Sequence, residues 1–81
     1  MKARVTVTPR QGVLDPQGKA VHHALQSLGF AGVRDVRVGR SIDVWLEGSP
    51  SPEEARTQLD DMCRRLLANP LIEDYSIAFE P

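Results

Sequence analysis

Val36-Arg37-Val38-Gly39-Arg40-Ser41-Ile42-Asp43-Val44-Trp45-Leu46 is the stretch on which the reading of this chain turns. Val36 and Val38 alternate with Arg37, and Ile42, Val44 and Leu46 alternate with Asp43 and Trp45. Period two with β-branched residues marks half-buried strands. If Gly39-Arg40-Ser41 forms a three-residue loop, Val38 stands opposite Ile42 and Val36 opposite Val44, so the apolar sides coincide. A two-residue loop would set Arg37 against Ile42 and mismatch the faces. The sequence therefore predicts a central β-hairpin.

Upstream, residues 2–8 (KARVTVT) alternate strictly, Ala3, Val5 and Val7 facing one way, and Pro9 ends that strand. After a loop from Arg10 to Leu14, Asp15-Pro16 is a helix start: the aspartate caps free amides, and proline at the first helical position loses no hydrogen bond. Ala20, Val21, Ala24, Leu25 and Leu28 form one stripe at helical spacing. Gly29 supplies the left-handed stop, with Phe30 placed to fold back on the last turn.

Downstream, Gly48-Ser49-Pro50 breaks the strand, and Ser51-Pro52-Glu53-Glu54 reads as cap, first-turn proline and capping-box glutamate. The second helix has its apolar stripe at Ala55, Leu59, Met62, Cys63 and Leu66, and its outer face offers Asp60–Arg64 and Asp61–Arg65 as i,i+4 pairs. Asn69-Pro70 ends it. The last strand is Ile72 to Glu80, with Tyr75, Ile77 and Phe79 on one face. The order is βαββαβ in one domain, 1–81. A split βαβ arrangement follows: an α+β, ferredoxin-like two-layer sandwich, with both helices on one face of a four-stranded antiparallel sheet. The other face would carry Arg4, Thr6, Thr8, Arg37, Asp43, Trp45, Glu47, Ser76 and Glu80.

With 81 residues the chain sits near the lower limit for a lone core. Ten basic and eleven acidic side chains leave a formal charge of −1, which gives no footprint for nucleic acid or an anionic membrane. The single cysteine excludes an internal disulfide and any multi-thiolate metal site. No apolar run approaches the roughly 20 residues of a membrane span, and the N-terminus lacks a signal pattern. A cytoplasmic domain is expected.

The search for chemistry returns little. His22 and His23 point about 100° apart on a helix and lie off the stripe, so they read as exposed histidines rather than a metal pair. Cys63 lies on the apolar stripe and reads as a buried structural thiol. No GxGxxG or Walker sequence is present, and no nucleophile, base and orienting group recur together. Gly18 falls in the first helical turn, close to free amides. Trp45 projects from the polar side of the sheet, either as an interface anchor or as a partly exposed ring over its neighbours.

Three stretches carry more. They are Pro9-Arg10-Gln11-Gly12-Val13-Leu14-Asp15-Pro16-Gln17-Gly18, then Val36-Arg37-Val38-Gly39-Arg40, and Leu66-Leu67-Ala68-Asn69-Pro70-Leu71-Ile72-Glu73-Asp74-Tyr75. In order and spacing they resemble the PurS family, the small subunit of phosphoribosylformylglycinamidine synthase (formylglycinamide ribonucleotide amidotransferase). The resemblance implies a non-catalytic scaffold in de novo purine biosynthesis. It would pair with itself, bridge a glutaminase and a synthetase, and assist ammonia transfer in the ATP- and glutamine-dependent conversion of FGAR to FGAM. It implies no cofactor on this chain, ATP and magnesium belonging to the synthetase. It also implies structural or interface roles for Asp15, Pro16, Gln17, Gly18, Gly39, Asn69, Pro70, Glu73, Asp74 and Tyr75. Trp45 is outside the family pattern. Strand addition at a sheet edge is an expected mode of self-pairing. The rival reading is a small-ligand regulatory module of the same fold. An RNA-binding sheet would need stacked aromatics and a basic face, which this chain lacks.

Overall fold

β1 (Lys2–Pro9) is the middle strand of the sheet, and its alternation has the expected consequence: Ala3, Val5 and Val7 are fully buried. The computed structural model describes residues 1–48 and 50–80. Around β1, β2 (Arg40–Trp45) and β3 (Glu73–Glu80) both run antiparallel. Val5 stands between Ile42 and Ile77, and Lys2 between Trp45 and Glu80. Ser49, the middle of the expected strand break, lies outside the described residues.

Two α-helices accompany the sheet among the described residues. α1 (Pro16–Ser27) starts at Asp15, whose side chain accepts from the Gly18 N–H, as the sequence predicts. It ends in a Schellman turn: Gly29 sits at φ 99°, its N–H bonds to the Gln26 carbonyl, and the Phe30 N–H reaches back to Leu25. α2 (Pro52–Met62) is capped by Ser51 Oγ on the Glu54 N–H, at 3.1 Å. Both expected acid–base pairs form on its outer side, Asp60–Arg64 at 3.2 Å and Asp61–Arg65 at 3.4 Å. Ala55, Leu59 and Cys63 are fully buried over the sheet.

The four-stranded sandwich is not what forms. Among the described residues the sheet has three strands, in the order β2-β1-β3, and Val36 to Val38 belong to none of them. No turn occurs at Gly39: its φ is not positive, and Arg40 and Ser41 are already part of β2. The backbone groups a hairpin would need are engaged elsewhere. The Val38 N–H donates to Asp15 Oδ2 at 2.9 Å and the Val36 N–H to Asp35 Oδ1 at 2.9 Å. Residues 36–39 instead lead without a turn into β2, which pairs with β1.

A second correction concerns α1. It makes no extended contact with any strand, so the two helices do not share a face of the sheet. Most of its apolar stripe is uncovered: Val21 and Ala24 are exposed, and Leu28 is 74% exposed. The chain measures 49 × 26 × 14 Å, with a radius of gyration of 16.0 Å. A compact chain of this length would have roughly 12 Å. α1 and residues 30–39 thus form an arm projecting from one end of the sheet.

A third correction is local. After Met62 the helix widens into one π turn, Cys63–Leu67, closed by the Ala68 N–H on the Cys63 carbonyl. The wider turn rotates later side chains out of phase with the 3.6-residue stripe. Leu66, expected inside, is 83% exposed, while Ala68 is buried and Leu67 half-buried.

Leu59 is the largest fully buried side chain among the described residues. Replacing it by alanine should cost about 2–5 kcal/mol in urea unfolding. Leu66→Ala, outside the core, should stay within about 0.5 kcal/mol.

Candidate functional site

The three motif stretches, far apart in sequence, meet at the end of the sheet where the arm departs. Val7 pairs with Arg40 on one side and with Tyr75 on the other, Pro9 stands opposite Glu73, and the Arg10 N–H bonds to the Ile72 carbonyl at 2.9 Å. Pro9 has no N–H to continue a ladder. Its carbonyl instead accepts from the Arg37 guanidinium at 3.2 Å.

Asp15 organises the arm's base. One carboxylate oxygen accepts from the Gly18 N–H at 3.1 Å and the other from the Val38 N–H at 2.9 Å. These bonds, Val38 first and Gly18 second, hold the Asp15 carboxyl below the usual carboxylate range. Pro16 takes the first helical position and Gln17 is exposed beside it. Gly18 is buried, and a Cβ there would overlap the Val36 carbonyl oxygen and the Asp15 carboxylate, so the close packing requires glycine. Gly39 is a second close approach: a Cβ would run into the Val7 carbonyl and press on Thr8 at 3.2 Å.

Glu73 organises the other side. It grips the Arg40 guanidinium at 2.7 Å and 3.1 Å and accepts from the Asn69 N–H at 2.7 Å. Arg40 also donates to the Leu67 carbonyl, tying β2 to the π turn. The Arg40 contact, reinforced by Asn69, holds the Glu73 carboxyl low. Asn69 and Pro70 make the turn before β3; Asn69 Oδ1 accepts from the Leu71 N–H at 3.1 Å, and its carbonyl accepts from Glu73 at 2.8 Å. Asp74 pairs with Arg10 at 3.2 Å. Tyr75 donates its hydroxyl to Asp60 on α2, which raises the Tyr75 pKa.

The motif residues are therefore brought together, and most of them hold backbone or another charged side chain. A shallow cleft of about 370 Å³ lies beside them, lined by Asp15, Lys19, Asp35 and Arg37 among others. Both of its carboxylates already accept backbone N–H groups. Trp45 is not part of this assembly. It lies at the other end of the sheet, about 17 Å along β1, 69% exposed, with Lys2 Nζ 5.4 Å from its ring centroid. It shares the open face with an ion cluster in which Asp43 bonds Arg4 at 2.9 Å and Glu80 meets Lys2 at 3.3 Å.

Arg40, which ties Glu73 to β2, is the side chain of this assembly that the sequence reading missed, having been placed in a loop. Its signal was that Val36, Val38, Ile42, Val44 and Leu46 keep one period of two across it, with Arg40 the single polar residue in that set. His22, expected exposed, is half-buried with Nε2 2.7 Å from the Val33 carbonyl; His23 is exposed. Burial, with Asp60 adding, pushes the Cys63 thiol up, consistent with an unreactive structural thiol.

Residues 2–81 match the family described as PurS: phosphoribosylformylglycinamidine (FGAM) synthase. The chain belongs to the PurS family. A PurS subunit from Synechocystis sp. is 51% identical over 72 residues, 89% of this chain and 71% of that protein. The Bacillus subtilis PurS crystal structure is similar with a TM-score of 0.86 and 41% identity, covering 99% of this chain and 98% of that one. A chain of the PurLQS structure from Thermotoga maritima matches at a TM-score of 0.79 and 27% identity, over 95% of this chain and 93% of that one. As a PurS-family chain it is a subunit of FGAM synthase, an enzyme of purine biosynthesis.

Two measurements test the clamps. A carboxylate with a depressed folded pKa stabilises fully above its unfolded value, about 4, and loses that contribution as pH falls through the folded value. Thermal stability should therefore fall below about pH 4, and Asp15→Asn and Glu73→Gln should each lower the neutral-pH melting temperature and flatten the acid limb. Gly39→Ala should cost about 2 kcal/mol or more through its overlap with Val7. Gly32→Ala, with nothing within 4 Å of the new methyl, should cost far less.

Proposed function

We propose that this chain is the scaffold of a cytoplasmic FGAM synthase: it pairs with itself, holds the glutaminase and the synthetase together, and helps ammonia pass between them. It binds no cofactor; ATP and magnesium act in the synthetase. The observation that carries this reading is where the motif residues spend their bonding capacity. Asp15, Gly18, Gly39, Asn69 and Glu73 fix backbone at the root of a projecting arm, and the arm presents an uncovered apolar helix. Such a construction gives a rigid docking piece. The similar chain in the PurLQS structure supports the same reading.

The chemistry asks for such a piece. Free ammonia is readily protonated in water to ammonium, which is not nucleophilic. Delivery to an activated amide therefore depends on two active sites docked together and shielded from solvent. A subunit can supply that by position alone.

Reconstitution from purified glutaminase, synthetase and this chain tests the reading. Leaving the chain out should abolish glutamine-dependent FGAM formation while synthesis from added ammonia survives in part. Equal glutamine-dependent rates with and without it would end the scaffold assignment.

A further inference from the structure

Leu66 and Leu71 are the most exposed large apolar side chains among the described residues, at 83% and 82%, and Ile72 beside Leu71 is exposed as well. All three stand at the corner where α2 and its π turn give way to β3. A lone surface leucine needs no explanation. These differ because the backbone that carries them is pinned. The Ala68 N–H bonds the Cys63 carbonyl at 2.9 Å, and Arg40 donates to the Leu67 carbonyl. Glu73 accepts from the Asn69 N–H at 2.7 Å, and Asn69 Oδ1 accepts from the Leu71 N–H at 3.1 Å. The core is closed without the exposed leucines, since it takes Ala68 and Leu67 instead. Apolar side chains held out on a fixed backbone lose little freedom on meeting a partner, which is what an interface anchor requires.

We propose that the Leu66–Leu71 corner is the docking point for a different subunit of the synthase, one that offers an apolar socket edged with carboxylates. The proposal rests on the scaffold role given above and names the surface that does the holding. Charge selects the occupant. Arg64 and Arg65 immediately precede Leu66, and their side chains are 58% and 78% exposed. Their carboxylate partners, Asp60 and Asp61, lie one turn back along α2, and Glu53 and Glu54 lie at its far end. Each ion pair therefore turns its positive member toward the corner. A carboxylate edge on the partner would complement that rim. A second copy fits poorly, because a two-fold contact through this corner would bring the arginines of both copies together.

Assembly of the full chain with purified glutaminase and synthetase, glutamine and ATP being present, tests this. Leu66→Asp and Leu71→Asp should each weaken assembly roughly 30-fold. Leu66→Met, which keeps an apolar side chain of similar size, should assemble as the wild type does. Arg65→Glu should weaken the same contact, and added salt should weaken the wild type more than this variant. By themselves, all four variants should match the wild type in circular dichroism and in sedimentation, because the side chains are exposed and no second copy covers them. Glutamine-dependent FGAM formation should fall at limiting concentrations of the aspartate variants and return when more is added, as a loss of affinity requires. Aspartate variants that assemble as the wild type does would overturn the proposal. So would aspartate variants that sediment differently by themselves, since the corner would then join copies. A chain that turnover needs, yet that tolerates both aspartates, sinks this corner and leaves the scaffold role standing; a chain that turnover does not need ends the scaffold role itself.

Discussion

The Asp15 carboxylate accepts N–H groups from the first turn of α1 and from the segment that returns to the sheet, and the rest of the architecture depends on that double contact. A carboxylate that caps only its own helix leaves the chain after the helix free to choose a strand partner. Here the second oxygen removes the Val38 N–H from strand pairing and fixes the return segment against the helix start. Gly18 makes this possible, because any side chain at that position would separate the two backbones. The arm is thus a consequence of one charged group satisfying two amides that would otherwise be orphans.

Glu73 performs the complementary task at the other side of β1. Its carboxylate joins Arg40 at the start of β2 to Asn69 at the entrance of β3. The two clamps flank the end of β1, where Pro9 can offer a carbonyl but no N–H. Ion pairs at exposed positions contribute little stability individually. Their role here is geometric: they set the direction in which the arm leaves the sheet. For the scaffold role proposed above, this direction is the property that matters.

Much of the local structure was legible in the residues. Strand β1, both caps, the glycine stop at Gly29, the salt-bridged outer face of α2 and the buried thiol follow from short-range spacing and appear as expected. The hairpin was not decidable in that way. A three-residue loop at Gly39-Arg40-Ser41 and an extended run from Val36 to Leu46 would place the same even-numbered side chains on the same face. Alternation fixes inside and outside, but it is blind to whether the chain turns. Leu66 failed for a related reason, since a π turn changes the period without any residue that announces it.

What the amino-acid order determined by itself was the set of elements, their caps and their apolar sides, because these depend on neighbours within a few residues. The family motifs were legible too, as a pattern of residues whose purpose the order did not disclose. Only the tertiary structure decided that there are three strands, that α1 stands away from the sheet, and that the motifs converge at the root of an arm. Those outcomes rest on contacts between groups distant in the chain, Asp15 with Val38 and Glu73 with Arg40. No periodicity records which of several possible partners a buried amide or a charged side chain will take.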